Sequence, residues 1–285
     1  MKKDQDRPMN ADLHCHSLQS DGVLTPRELA KRAHLNGVQL WALTDHDEVS
    51  GVSVARNAAS ELGMSFLAGV EVSVTWAGRT LHVVGLGVDE TNATLLQGLE
   101  SIRAGRQERA QAMANKLDEL GIVGALDGAL SFVRNPDLVS RTHFARYLFD
   151  QGHGKNMQDV FDRYLAEGAV AHVPTRWASL QDCLGWIQAS GGVAVIAHPG
   201  RYRYSDLEYG ELFSCFKDLG GQAIEVVTGS HGPGQNEKYA QTARHYGFMA
   251  SAGSDFHGPD ESRLDLGTLP ALPPDLKPVW RAFDL

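Results

Sequence analysis

Along the first third of the chain, short apolar runs alternate with patterns of helical period. Ala11–His14 (ADLH) predicts a short strand. Thr25 then stands as an N-cap with Pro26 at the first helical position, opening a helix to about Asn36 that Gly37 ends. Val38–Leu43 predicts a second strand, and Gly51–Leu62 a second helix stopped by Gly63. Met64–Leu67 and Leu81–Val88 predict two more strands, with Thr75–Arg79 (TWAGR) turning between extended segments. The middle changes character. Residues 92–120 read as one long helix with Leu95, Leu99, Ile102, Met113 and Leu117 on its apolar side. Further helices are expected near 141–150, 156–165 and 179–190, with no strand from about 100 to 190. The first rhythm then returns. Gly192–Ala197, Gln222–Val227 and Phe248–Ala252 predict strands, separated by helices at Leu207–Leu219 and Gln235–Tyr246. The proline-rich tail from Pro270 is expected over the surface. This alternation predicts a parallel-rich α/β fold. An all-helical insertion over 101–190 divides it into parts at 1–100 and 191–285.

Composition narrows the class. Hydrophobic residues make up 42% and charged residues 21%, ordinary for a globular chain that buries its own core. Cys15, Cys183 and Cys215 are too few and too scattered for a disulfide framework or a thiolate zinc site. No signal-peptide pattern follows the N-terminal charges and no apolar run spans a bilayer, so a cytoplasmic protein without membrane contact is expected. The net charge of −9 argues against long nucleic acid as a partner. Residues 101–185 are neutral, so the acid lies in the two flanking parts. No obligate protein partner is evident.

Those flanking parts also hold the candidate chemistry. Of twelve histidines, His14 and His16 lie two apart in DLHCHS after a strand, and alternate residues of an extended chain point the same way. Asp21 follows in a turn closed by Gly22. Asp45 and His46 end the second strand, Glu71 lies in GVE, and His198 ends GVAVIA. Asp255 and His257 end the last strand, in SDFH. His82 stands near the start of its strand, and only a reversed strand would bring it to the same side. A single buried histidine is more often a hydrogen-bonded core residue, and an aspartate after a strand is more often a turn or cap residue. Nine candidates at one end of the strands demand a common cause. That end is where α/β barrels place their active sites. Imidazole and carboxylate without thiolate suit Mn²⁺, with Zn²⁺ or Fe²⁺ as alternatives. Nine ligands suit two or three ions, roughly 3.5–4 Å apart where a carboxylate bridges them. The chain has neither a P-loop nor a G-x-S-x-G elbow, and hydrolysis by metal-activated water needs neither.

In order, DLHCHSLQSDG, TDHD, GVE, the LH before VVGLG, IAHP and SDFH resemble the motifs of the polymerase-and-histidinol-phosphatase (PHP) family, over residues 11–90 and 192–258. The resemblance implies a distorted (β/α)7 barrel that usually holds three metals. It assigns His14, His16 and Asp255 to one ion. His82 and His198 go to a second, with Glu71 bridging the two. Asp21, His46 and His257 go to a third. Asp45, beside a ligand, is expected to support the site from behind. The barrel with its insertion, and SRTHFARYL at Ser140–Leu148, resemble the branch that hydrolyses nucleoside 3′,5′-bisphosphates and trims short RNA from the 5′ end.

A phosphomonoesterase acting on a nucleotide with two phosphates is therefore expected, with Asp21, His46 and Glu71 at the reacting phosphate. The second phosphate needs cations, and Arg106, Arg134 with Asn135, and Arg141 with His143 are the candidates. Arg103 and Arg109 read better as a solvated helix face. His231, in GSHGPGQ, is the candidate to reach the leaving group or a substrate phosphate. Glu225 reads as a supporting residue, and Tyr202 and Tyr204 as packing rather than base-stacking residues. The same metals also suit a 5′-to-3′ exonuclease on short 5′-phosphorylated oligonucleotides, or a phosphatase of a small metabolite such as histidinol phosphate. A carbon–nitrogen hydrolase shares such clusters. A non-catalytic metal-binding module is disfavoured by the intact ligand set.

Overall fold

The structure, a computed structural model, describes residues 9–284. Seven strands form one sheet in chain order: β1 (Ala11–Asp12), β2 (Leu40–Leu43), β3 (Ser65–Trp76), β4 (Arg79–Leu86), β5 (Val193–Ile196), β6 (Ala223–Thr228) and β7 (Met249–Gly253). All neighbours pair in parallel except β4, which runs antiparallel to both β3 and β5. The sheet curls until its edges meet. Leu13 N–H donates to the Ala252 carbonyl at 2.9 Å, and His16 N–H to that of Phe256 at 2.9 Å. This is the distorted α/β barrel expected from the sequence.

The reversed strand arises from a tight hairpin. Ala77 and Gly78 both take positive φ (47° and 77°), the primed-turn geometry that joins twisted strands. So the third predicted strand does not stop at Leu67 but runs on to Trp76, and Glu71 lies inside it. Register pairs Ser73 with His82, which brings His82 to the ligand end.

Outside the barrel pack α1 (Pro26–Leu35) and α2 (Val52–Glu61), then α3 (Ala93–Ala104) and α4 (Arg106–Glu119). A full capping box, Thr25 with Glu28, starts α1. The single helix expected over 92–120 is two, because the chain bends at Gly105. After these come α5 (Ala125–Leu130), which periodicity did not single out, α6 (Arg141–Asp150) and α7 (Met157–Val160), which widens into a π turn over 161–165. The shell is completed by α8 (Leu180–Ala189), α9 (Asp206–Asp218) and α10 (Gln235–Tyr246).

The helices pack on separate apolar cores. Met113, Leu117, Phe144, Leu148, Val160 and Leu165 form a core of their own. By contrast, α3 and α8 pack Leu95, Leu99, Leu184 and Ile187 onto barrel residues such as Val83 and Ile196. The tail also departs from expectation. Val279 is fully buried, and Trp280 and Phe283 pack on the bottom core of Leu13, Leu40 and Val195, because the strand starts leave that end of the barrel open. Among the described residues no helix is long and apolar enough to cross a membrane.

Candidate metal centre

The strand ends and the loops after them converge on one cluster. Glu71 lies at its middle, fully buried. Its Oε2 stands 3.3 Å from His14 Nε2, 3.2 Å from His16 Nε2 and 2.9 Å from His46 Nδ1. Its Oε1 stands 3.0 Å from His82 Nδ1 and 2.9 Å from His198 Nε2. Asp255 Oδ1 faces His14, His16 and His257 at 3.6, 3.3 and 3.7 Å. Asp21 Oδ1 faces His16, His46 and His257 at 3.8, 3.9 and 3.4 Å. All nine residues singled out in the sequence therefore meet. They fall into three overlapping sets with donor atoms close enough for one ion each. The first is His16, Asp21, His46 and His257, the second His14, Glu71, His198 and Asp255, the third His46, Glu71 and His82.

The donor set fits divalent ions. His16 Nδ1, Asp21 Oδ1, His46 Nδ1, Glu71 Oε2, His82 Nδ1 and Asp255 Oδ1 are all buried, and none has a hydrogen-bond partner among the described residues. Orphaned buried polar atoms are costly, so this many aimed at one point calls for a ligand that accepts lone pairs. Burial alone would raise the Glu71 carboxyl, yet the fields of His46, His82 and His14 hold it well below the usual glutamate range. Asp21 is likewise held well below its ordinary value, against burial, by His46 and His257. Burial, reinforced by Arg201, pushes His198 down to about 3, the neutral form that binds metal.

Local sequence explains the precision of the cluster. Cys15, between His14 and His16, points away, and its sulfur accepts from Trp41 Nε1 at 3.2 Å. Asp45 accepts from Ser17 N–H at 2.7 Å and from the hydroxyls of Ser17 and Ser20 at 2.7 and 2.6 Å, which shapes the turn that carries Asp21. Gly22 closes that turn, and a Cβ there would stand 2.1 Å from the His16 carbonyl oxygen. His198 (φ 29°), Asp255 (φ 55°) and Asp47 (φ 51°) hold strained left-handed conformations, which cluster at functional sites. Glu225 spans two ligands: Oε1 meets His14 Nδ1 at 2.7 Å and Oε2 accepts from His198 N–H at 2.5 Å. A register shift in β6 between Glu225 and Val227 accompanies that inward aim.

The remaining candidates divide. Arg106 does not stand free for a substrate: it is buried, pairs with Asp47 and stacks on Trp177 at 5.0 Å. Arg103 and Arg109, read as solvated, are also engaged. Arg103 donates to the Asp47 carbonyl at 2.7 Å, and Arg109 also stacks on Trp177, at 5.1 Å. Arg103 lies in the last turn of α3 while Arg106 and Arg109 open α4, so the three flank the break at Gly105. Arg134 is exposed, and Asn135 caps a short 3-10 turn by accepting from Asp137 N–H. Among the described residues neither forms a hydrogen bond or ion pair with the cluster. His231 has both ring nitrogens occupied, by Asn236 Oδ1 at 2.9 Å and Gly200 N–H at 3.3 Å, which makes it a prop for the turn after His198.

Arg141 and His143 do approach the centre. Arg141 has no acidic partner within 4 Å among the described residues, and burial with the fields of Arg201 and Arg106 pushes it down to about 10. His143 Nδ1 accepts from Ser140 N–H at 3.0 Å, and burial pushes the ring down to about 4. Ser140 Oγ in turn donates to Asp21 Oδ2 at 3.2 Å. Sequence reasoning missed Arg201, whose Nη1 donates to Asp255 Oδ2 at 2.8 Å, although its place three residues after His198 was a usable signal.

Residues 12–206 match the PHP domain family. The chain is 48% identical over 275 residues to the 3′,5′-nucleoside bisphosphate phosphatase of Chromobacterium violaceum, covering 96% of each. It is 38% identical over 275 residues to the 5′-3′ exoribonuclease Rnm of Escherichia coli, covering 96% of this chain and 93% of that one. Among solved structures, an amidohydrolase from Chromobacterium violaceum with bound sulfate and no metal superimposes with a TM-score of 0.93, at 49% identity over 96% of this chain and 95% of that one.

Proposed function

The chain belongs to the PHP domain family, and from that premise we propose that it removes the 3′-phosphate from nucleoside 3′,5′-bisphosphates. It is a metal-dependent phosphoester hydrolase. The nine clustered residues would hold the ions, and manganese is the fitting choice for imidazole and carboxylate donors without thiolate. Ions held there supply a nucleophile from water at neutral pH and offset phosphoryl charge.

The observation that carries the substrate reading is Arg141. It is half-buried within the fields of Arg201 and Arg106, and no carboxylate lies within 4 Å of it among the described residues. A phosphate that is not being hydrolysed fits this gap, held by planar bidentate donation. The helical segment carrying Arg141 acts in this reading as a cover over the substrate. The 48% identical relative, named for bisphosphates, supports it. Phosphate release from adenosine 3′,5′-bisphosphate in Mn²⁺ should far exceed release from AMP. Arg141→Ala should raise KM for the bisphosphate roughly 10- to 100-fold, the worth of one charge-assisted hydrogen bond. Equal turnover of AMP and the bisphosphate would sink the two-phosphate reading.

The relative named as a 5′-3′ exoribonuclease supports a second reading, cleavage of short 5′-phosphorylated oligonucleotides by the same ions. A 5′-phosphorylated RNA trinucleotide, run in parallel, separates the two. Faster breakdown of the trinucleotide would make the diesterase primary.

A further inference from the structure

Helix α6 carries a guanidinium that the substrate reading does not use. Arg146 is 7% exposed, unusual for arginine, and lies in the core-bearing helical segment rather than in the barrel. Its Nη2 donates to the Asp21 main-chain carbonyl at 2.5 Å. Its Nε and Nη2 also form a two-pronged pair with Glu261, at 2.7 and 2.8 Å. Glu261 belongs to the turn that follows His257, where Glu261 N–H donates to the Gly258 carbonyl and Ser262 Oγ accepts from His257 N–H at 2.8 Å. One side chain thus ties together the loops of Asp21 and His257, which lie far apart in sequence. Three residues back on the same helix, His143 accepts from the N–H of Ser140, which caps the helix start and donates to the Asp21 carboxylate.

These contacts reach only one of the three ligand sets, that of His16, Asp21, His46 and His257. The set centred on His14, His198 and Asp255 is braced instead by Glu225 and by Arg201, both outside α6. We propose that Arg146 is a positioning residue for the Asp21–His257 metal site alone, so that this site is completed only when the helical segment is docked on the barrel. The inference rests on the metal-centre reading above. It makes occupancy of one ion depend on α6, while the ions nearer His14 and His82 stay independent of it.

The test is metal content and stepwise affinity, by elemental analysis and calorimetry, on the full chain. Wild type is compared with Arg146→Met, Arg146→Lys and Glu261→Gln. Losing an outer partner of a metal site typically costs about 10- to 100-fold in affinity. Arg146→Met should weaken one binding step by that factor and leave the others unchanged. Glu261→Gln should weaken the same step less, and Arg146→Lys should recover part of the loss. Equal weakening of every step would mean that Arg146 only stabilises the fold, and would overturn the proposal. So would unchanged affinities. If Arg146→Met does not fold, the milder Glu261→Gln and Arg146→Lys variants carry the same comparison. Failure of wild type to take up any metal would overturn the underlying reading instead, which keeps the two apart.

Discussion

At the scale of the residue, the centre is a set of donors that lack partners. Removing His16 or Asp255 should abolish turnover without unfolding the barrel, since both sit in loops after strands rather than in an apolar core. His16→Ala and Asp255→Ala are expected to lose at least about 100-fold in phosphate release, beyond the range typical of an outer partner. Their circular dichroism should stay that of wild type, and a lost spectrum would argue for a structural role. Arg106 behaves differently. Its partner Asp47 is fully buried, and breaking one side of a buried pair costs about 3–5 kcal/mol. Arg106→Ala should therefore lower the denaturation midpoint sharply. A KM effect with unchanged stability would restore it to the substrate.

The ligands were legible because metal chemistry restricts residue type and because strand ends could be found from apolar runs. The arginines were not. A guanidinium reads the same in sequence whether it grips a phosphate, as expected of Arg106, or a buried carboxylate, as found. What separates them is Asp47, 59 residues earlier in the chain, and no periodicity reports that contact.

At the scale of the element, β4 decides the shape of the site. Its reversal was visible only as an anomaly, His82 at the wrong end of its strand, and the Ala77–Gly78 turn resolves it. The bend at Gly105 was missed because apolar spacing on both sides keeps the helical period, so a break there carries no signal of its own. The seam between β1 and β7 is tighter still. A Cβ on Gly253 would sit 2.2 Å from His14 Cβ and 2.8 Å from Glu225 Oε1. Gly253→Ala should cost about 1–3 kcal/mol by overpacking and also weaken metal binding, because it displaces both groups. Calorimetric unfolding with and without Mn²⁺ reads both effects. A variant as stable as wild type, with unchanged affinity, would show that the seam yields.

At the scale of the whole molecule, metal should hold the fold together as well as act in it. Ions at 100 times their dissociation constant stabilise a native state by about 2.7 kcal/mol per site. A chelator should lower the melting temperature, and Mn²⁺ restore it. A melting curve indifferent to both would count against ion binding in the native state. The strand-free stretch between Leu86 and Val193 was readable from rhythm, since strand–helix alternation stops and resumes. The destination of the tail was not, because proline-rich sequence describes only how a segment travels. Trp280 and Phe283 gave the contrary hint that something apolar had to be covered.

His14 and His16 reach their places only through the seam that Leu13 and His16 form with Ala252 and Phe256. A ribosome makes the first of these residues long before the last. Until the far strand has emerged, the early histidines have no barrel to hold them in line, and Asp255 and His257 do not yet exist to share an ion. Completion of the two donor sets that include Asp255 or His257 is thus ordered after synthesis by topology. A nascent chain holds at most the His46, Glu71 and His82 donors as a set, and the other two sets are completed only by its last strand.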